Sequence, residues 1–314
     1  MLTGLDALRA LEAEADAGER SQSAYWRDGV KEFSVQADGT VTGSSVLGMV
    51  SRKRGAFNRF AHWVLQAPFR RMGRRFAPLA QALAIGHVIA ERQRRAYTYD
   101  LLRHSLSLAL IRHHLPLDRD DRVSCVIGDG YGMMASHLLL DRPGRKVVSV
   151  NLTKPLLLDM VFIAQALPGI GIALVRSEAE MEAALADAGV RVIAVQADNA
   201  AAIAAAPVDL AVNIVSMQEM DPPVVAEYFR LLRATRSDRT CFYCCNKLWK
   251  RLVDGTEVKF SDYPWRPGDR ILLDEVCTWS QWVYSKIPPF WHYRRGDWRV
   301  IWHRLAWLDK DGGR

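Results

Sequence analysis

The chain has 314 residues, 49% of them hydrophobic and 25% charged, and a formal net charge of +7, the proportions of a soluble globular protein of one large domain or one domain with an extension. No stretch approaches the 18 or so consecutive apolar residues of a membrane-spanning helix, and the acidic, amphipathic opening MLTGLDALRALEAEADAGER is unlike a secretory signal. Five cysteines (Cys125, Cys241, Cys244, Cys245, Cys277) at irregular spacing argue against a disulfide framework and for reduced thiols, hence a cytoplasmic protein.

In chain order, Leu2, Leu5, Leu8, Ala10 and Leu11 predict a short N-terminal helix. Phe33 to Gly48 alternates apolar positions around Asp38-Gly39, the pattern of a hairpin or loop. From Gly39 through Ala90 there is no acid, yet Arg52, Lys53, Arg54, Arg59, Arg70, Arg71, Arg74 and Arg75 fall there, interleaved with Phe57, Phe60, Trp63, Phe69 and Phe76. A solvated basic face over a core-packing stripe accounts for this, and so does peripheral contact of 52–75 with an anionic membrane at its inner surface. No nucleic-acid module accompanies the charge. Ala80 to Leu115 is a longer helical region, expected to break near Gly86. A mainly helical extension over 1–118 is therefore expected ahead of a domain over 119–314.

From Asp121 the pattern becomes strand–helix alternation, the signature of a mostly parallel sheet covered on both faces. Strands are predicted at Val123–Ile127, Lys146–Asn151, Arg191–Gln196, Leu210–Ile214 and Cys241–Cys245, with Ile172–Val175 a further short strand that the pattern leaves unplaced. Helices are predicted at Met133–Leu140, Pro155–Ala166, Glu178–Ala188 and Pro222–Ala234. Arg299–Leu308 reads as a closing strand. Eight of the ten tryptophans lie after Cys245.

The first strand runs into Gly128-Asp129-Gly130-Tyr131-Gly132. A phosphate-binding P-loop needs Gly-Lys-Ser/Thr, and Met133-Met134 stand there instead. The dinucleotide fingerprint Gly-x-Gly-x-x-Gly needs a glycine at 133, which is Met. The observed Gly-x-Gly-x-Gly after a strand, with a helix N-terminus just beyond, is similar to motif I of the Rossmann-like S-adenosylmethionine-dependent methyltransferases. The resemblance implies that Gly128, Asp129, Gly130, Tyr131 and Gly132 contact the cofactor. Two customary acids are replaced, by Val126 near the end of the first strand and by Asn151 at the end of the next. Asn151 still offers a donor and an acceptor to a ribose, and Asp129 is a candidate displaced carboxylate or an ordinary turn residue.

Further along come DLAVNIVSMQEMDPP (Asp209–Pro223), FYCCNK (Phe242–Lys247), DYPW (Asp262–Trp265), ILLDE (Ile271–Glu275), YSKIPPFW (Tyr284–Trp291) and IWHRLAWL (Ile301–Leu308). This ordered set, from about Arg122 to Leu308, resembles the sugar O-methyltransferase family of the class I, Rossmann-like S-adenosylmethionine-dependent methyltransferases. The fold implied is α/β, a Rossmann-like methyltransferase fold with a mostly parallel central sheet plus the N-terminal helical extension. The activity implied is O-methylation of a sugar hydroxyl of a glycan or glycoconjugate, with S-adenosyl-L-methionine as cofactor. A methyltransferase for a natural-product hydroxyl or amine, and a non-catalytic methyltransferase-like binding protein, stand as alternatives.

In that role Glu219 is the first candidate to take the hydroxyl proton, with His292 and Glu275 behind it. Leu152, Asp198, Ser216 and Gln218 join Asn151 as cofactor-binding candidates, and Asn246, Trp265 and Trp291 are substrate-binding candidates. Each has a plain structural reading beside it: a helix-terminal charge for Glu219, a surface or packing residue for His292, a strand-end acid for Glu275, core aromatics for the tryptophans. Cys241-x-x-Cys244-Cys245 lies on a strand whose alternation splits the thiols between faces, so no metal site is expected.

Overall fold

The computed structural model describes residues 1–43, 55–115 and 122–310. Arg52, Lys53 and Arg54 of the basic segment, the end of the 33–48 hairpin and the 118/119 boundary lie outside the described residues.

Nine strands form one sheet: β1 (Leu2–Thr3), β2 (Val123–Ile127), β3 (Lys146–Asn151), β4 (Ile172–Val175), β5 (Val192–Gln196), β6 (Val208–Ile214), β7 (Thr240–Lys247), β8 (Arg270–Val276) and β9 (Ile301–Leu308). Their spatial order is β1-β4-β5-β3-β2-β6-β7-β9-β8. The strands from β4 to β7 in that order are mutually parallel, while β1 and β9 run against their neighbours. Within it, β5-β3-β2-β6-β7 is the 3-2-1-4-5 order of a doubly wound Rossmann-like sheet. The antiparallel β9, inserted between β7 and β8, departs from the dinucleotide-binding version. Ile172–Val175 finds its place as β4, outside β5.

The central strands are continuous apolar runs because both their faces are buried. Val123, Cys125 and Ile127 face one core with Phe229, Leu232 and Phe242. Val126 faces the other, with Leu102, Leu138, Leu157 and Tyr243. That second core continues without interruption into Leu11, Phe69, Ile85 and Ile89. The extension and the sheet domain therefore share an interior rather than forming two separate ones.

Alternation along β7 puts Cys241, Tyr243 and Cys245 on one face and Phe242 and Cys244 on the other. The expected hairpin is present as Phe33–Val35 paired with Val41–Gly43, closed by the Thr40 N–H on Asp38 Oδ1 at 2.8 Å. One expectation is corrected. The chain does not break at Gly86, which lies inside the helix Leu79–Arg92. The break falls between it and the helix Tyr99–His114, where Arg94 takes φ +50°. A Cβ at Gly86 would stand 2.4 Å from Ser105 Oγ and 2.7 Å from the Tyr97 ring. The glycine lets two helices approach; it does not end one.

Candidate active site

Strand β2 is the sheet's topological switch point: the chain goes on to β3 on one side and later to β6 on the other. Open α/β sheets bind ligands at the carboxyl end of such a strand, and the glycine loop sits there. Gly128, Gly130, Tyr131 and Gly132 all adopt left-handed conformations, with φ of +65°, +62°, +63° and +56°. Glycine takes these angles without penalty. Space is also tight, since a Cβ on Gly128 would lie 1.8 Å from Ser216 Oγ, and one on Gly132 2.4 Å from Ile163 Cγ1.

Asp129 turns its carboxylate onto the following helix, Met133–Asp141, accepting the N–H groups of Met134 (2.7 Å) and Ala135 (2.8 Å). It caps the exposed donors and favours the positive end of the helix dipole. A second buried acid, Asp159, accepts the Gly132 N–H (3.0 Å) and Asn151 Nδ2 (2.8 Å). Asn151 Oδ1 accepts the Leu152 N–H at 3.0 Å. Burial pushes both carboxyls above their ordinary range; repulsion from Asp129 raises Asp159 further, while the Ala135 and Met134 N–H groups and Arg95 restrain Asp129.

The SMQEM stretch is held by a chain of amides. Asn213 Nδ2 donates to the Ile127 carbonyl (2.8 Å), and its Oδ1 accepts Asn246 Nδ2 (2.8 Å) and the Met217 N–H (3.2 Å). Asn246 Oδ1 accepts the Gln218 N–H (3.2 Å), and Gln218 Oε1 accepts the Lys247 N–H (2.8 Å). Val215 is held at φ +60° between them, an uncommon conformation for a β-branched residue. The network turns Ser216, Glu219 and Met220 toward a cavity of about 210 Å³. Glu219 pairs with Lys250 at 2.8 Å; burial raises its pKa and Lys250 opposes that shift.

The same cavity is lined by Gly128, Asp129, Gly130, Asn151 and Leu152. It is closed by groups that periodicity gives no reason to bring there. Asp100, Arg103 and His104 come from the helix Tyr99–His114, with Asp100 and Arg103 paired at 3.3 Å. Burial lowers the His104 pKa well below its usual value, and its Nδ1 lies 2.7 Å from the Asp100 carbonyl. Ser21, Ser23 and Trp26 come from the N-terminal segment. A readable signal existed for Asp159, an acid inside the apolar run LLLDMVF, and for the i, i+3, i+4 polar set of DLLRH.

Other predicted residues lie away from the cavity. Tyr131 packs edge-on against Phe162, and Gly132 supports the loop from behind. Gln218 and Asn246 are spent on the amide network. Asp198 accepts the N–H groups of Arg20 (2.9 Å) and Ser21 (2.8 Å) and the Ser21 hydroxyl (2.8 Å), so it anchors the segment that lines the cavity. Glu275 is paired with Arg75 at 2.8 Å on the sheet's far strand. His292 and Trp291 stand exposed on a hairpin strand, Trp291–Tyr293, where Trp291 Nε1 donates to the Leu65 carbonyl (2.9 Å). Trp265 stacks on Phe242 and meets Phe229 edge-on, in the core behind the sheet. Cys245 meets Cys277 and His303, their ligand atoms within 4.8 Å of one another, a cluster formed by cross-strand pairing and not by the Cys-x-x-Cys spacing.

No family model matches the chain, and no curated protein does. Among solved structures it is similar to the methyltransferase CalO6 (15% identity, TM-score 0.37, 65% of this chain and 64% of that one). It is also similar to the mitomycin 7-O-methyltransferase MmcR (12%, 0.33, 66% and 57%) and to the pyocyanin biosynthetic protein PhzM (13%, 0.39, 96% and 95%). The chain thus spans under two thirds of the length of the first two. Likeness at this level carries no argument about activity; the residues have to carry it.

Proposed function

We propose that the protein is an S-adenosylmethionine-dependent O-methyltransferase, with residues 119–314 as its methyltransferase domain and 1–118 as an extension that closes the cavity. The observation that carries this reading is the left-handed backbone at Gly128, Gly130, Tyr131 and Gly132 at the switch point, beside a cavity faced by Glu219. S-adenosyl-L-methionine, when bound, supplies a methyl group on a sulfonium. The residues present fit that cofactor: Gly130 lines the cavity with no side chain to bar its methionine part, and Gly128 makes room for Ser216 beside it. Asn151 retains one N–H and one lone pair for a ribose, beside Leu152 and the Ser216 hydroxyl.

The chain's own work is alignment and proton transfer. Glu219 accepts the acceptor hydroxyl's proton. Burial raises its basicity, and Lys250 holds the carboxylate in place and keeps enough of it ionised. The acceptor class we assign is a sugar hydroxyl of a glycan or glycoconjugate, on the resemblance of Asn213–Met220 and the aromatic tail. Calorimetric titration with S-adenosylmethionine tests the cofactor, and lack of saturable binding would sink the reading. Transfer of labelled methyl to a glycan separates the sugar acceptor from a natural-product hydroxyl or amine; cofactor binding with no transfer to either leaves the non-catalytic alternative.

One observation favours membrane contact as well. Phe57, Phe60 and Trp63 are 84%, 61% and 61% exposed on the helix Ala56–Leu65, and Ile287 of the adjacent hairpin is 74% exposed. These rings stand among Arg59, Arg70 and Arg71, the arrangement of an anionic-surface anchor. Among the described residues no helix is long and apolar enough to cross a membrane. Failure of the chain to sediment with phosphatidylglycerol vesicles at low salt dismisses this contact.

A further inference from the structure

The extension encloses a second cavity, of about 330 Å³, between the helices Ala56–Leu65 and Leu79–Arg92 and the segment that follows them. This is within the range of small-molecule sites. Its charged lining is Arg59, Arg70 and Arg95, with the exposed Glu91 as the acid.

Among the described residues, two buried polar groups in this wall lack hydrogen-bond partners. Arg95 is 2% exposed, and its Nε, Nη1 and Nη2 have no hydrogen-bond partner. The nearby carboxylates are engaged elsewhere, Asp129 on its helix N-terminus and Asp100 with Arg103. The guanidinium lies over the Phe162 ring and feels the charges of Asp100 and Asp129, yet a planar cation with five donors and no hydrogen bond is costly to bury unless an acceptor arrives.

The second group is His62, 5% exposed. Tyr284 Oη lies 2.6 Å from its Nδ1 and accepts Gln66 Nε2 at 2.9 Å. An amide nitrogen only donates, so the phenol's own hydrogen is directed to Nδ1. Burial, with Lys286 nearby, lowers the His62 pKa to about 4, so the ring is neutral and its hydrogen sits on Nε2. That Nε2 has no partner either. Flat walls complete the site: His87 stacks on Tyr97 at 4.1 Å, and the Arg70 guanidinium lies over the Trp63 ring.

We propose that this cavity binds a small-molecule oxyanion, a phosphate or carboxylate on a flat apolar body, through Arg95 and His62 with Arg59 and Arg70 at the entrance. The two buried groups left over, Arg95 and His62 Nε2, are donors, which suits an acceptor headgroup, and guanidinium matches the planar or forked geometry of such groups. The proposal stands independent of methyl transfer.

The test is calorimetric titration of phenyl phosphate into the full chain in phosphate-free buffer. One saturable site is expected, weakened at least tenfold in Arg95→Met. Because Arg95→Met also takes a neighbouring positive charge from Asp100 and Asp129, its affinity is read only once its near-ultraviolet circular dichroism matches the wild type. Arg59→Gln, at an exposed position that cannot endanger the fold, should weaken binding several-fold. No saturation with the wild type, or unchanged affinity in both variants, overturns the proposal. Binding to phosphatidylglycerol vesicles without any binding of phenyl phosphate overturns it too, since the anion would then be a lipid headgroup at the surface.

Discussion

Lys250 donates a 2.8 Å hydrogen bond to Glu219, and both side chains are about 15% exposed. Burial raises the Glu219 pKa and Lys250 restrains it, so the pair sets the pH at which the carboxylate is available as a base. Glu219→Gln should lower turnover by about 100-fold or more, the scale of general-base catalysis, while cofactor affinity is kept. Lys250→Met should instead leave the base present but push its pKa further up. The acid limb of the pH–rate profile then moves to higher pH; a limb that stays put separates Lys250 from the base.

The glycine loop is tested where it is tightest. Gly128→Ala places a Cβ against Ser216 Oγ and at a left-handed φ. It should abolish S-adenosylmethionine binding. Adding Ser216→Gly removes the clash but not the backbone strain, so part of the affinity should return. Gly130 lines the cavity at φ +62°, and Gly130→Leu should abolish binding on its own. Unchanged calorimetric affinity in Gly130→Leu would detach the loop from the cofactor.

What the sequence discloses here follows the range of the interactions. The strands from Val123 to Cys245 are legible because a strand buried on both faces must be apolar throughout. The loop is legible because few residues but glycine tolerate its angles. Asn246 and Gln218 look like ligands as long as their neighbours are unknown. Parallel pairing of β6 with β7 brings Asn213 and Asn246 together, and their amides are then consumed by each other and by Met217 and Gln218. Trp291 and His292 are carried off by a local hairpin with Trp282–Tyr284, and Trp291 is fixed there by the carbonyl of Leu65, far away in the sequence. Asp100, Arg103 and His104 sit in a stretch legible as helix, yet nothing local says which loop that helix faces.

Asp129 and Asp159 make stability depend on pH in a definite direction. Both are buried and raised, so the folded chain holds protons that the unfolded chain has released. Stability therefore falls as pH rises from the ordinary carboxylate range through the raised values. Asp159→Asn removes one ionisable member and keeps an oxygen for the Gly132 N–H, but sets its own NH2 against Asn151 Nδ2, a pH-independent loss. Its melting temperature relative to the wild type should therefore rise from pH 4 to pH 8. A difference independent of pH would mean that Asp159 is not held above the ordinary carboxylate range in the folded chain.

Asp198 has two readings that one pair of variants separates. As a cofactor ligand it would touch ribose or base. As the structure places it, it holds Arg20 and Ser21, and through them the wall formed by Ser21, Ser23 and Trp26. Burial alone would raise its pKa, but the Arg20 and Ser21 donors outweigh burial and hold it below the usual range. Its stabilisation is therefore present above the ordinary carboxylate pKa and lost as pH falls through the lowered value. Asp198→Ala should cost about 2 kcal/mol at neutral pH, the scale of hydrogen bonds to a charged group, and should expose the chain after Arg20 to trypsin. Ser21→Ala removes a donor from the anchor without touching the carboxylate. If Asp198 works through the anchor, Ser21→Ala reproduces part of the trypsin sensitivity and part of the loss in S-adenosylmethionine affinity. If Asp198 binds the cofactor directly, Ser21→Ala leaves that affinity where it was.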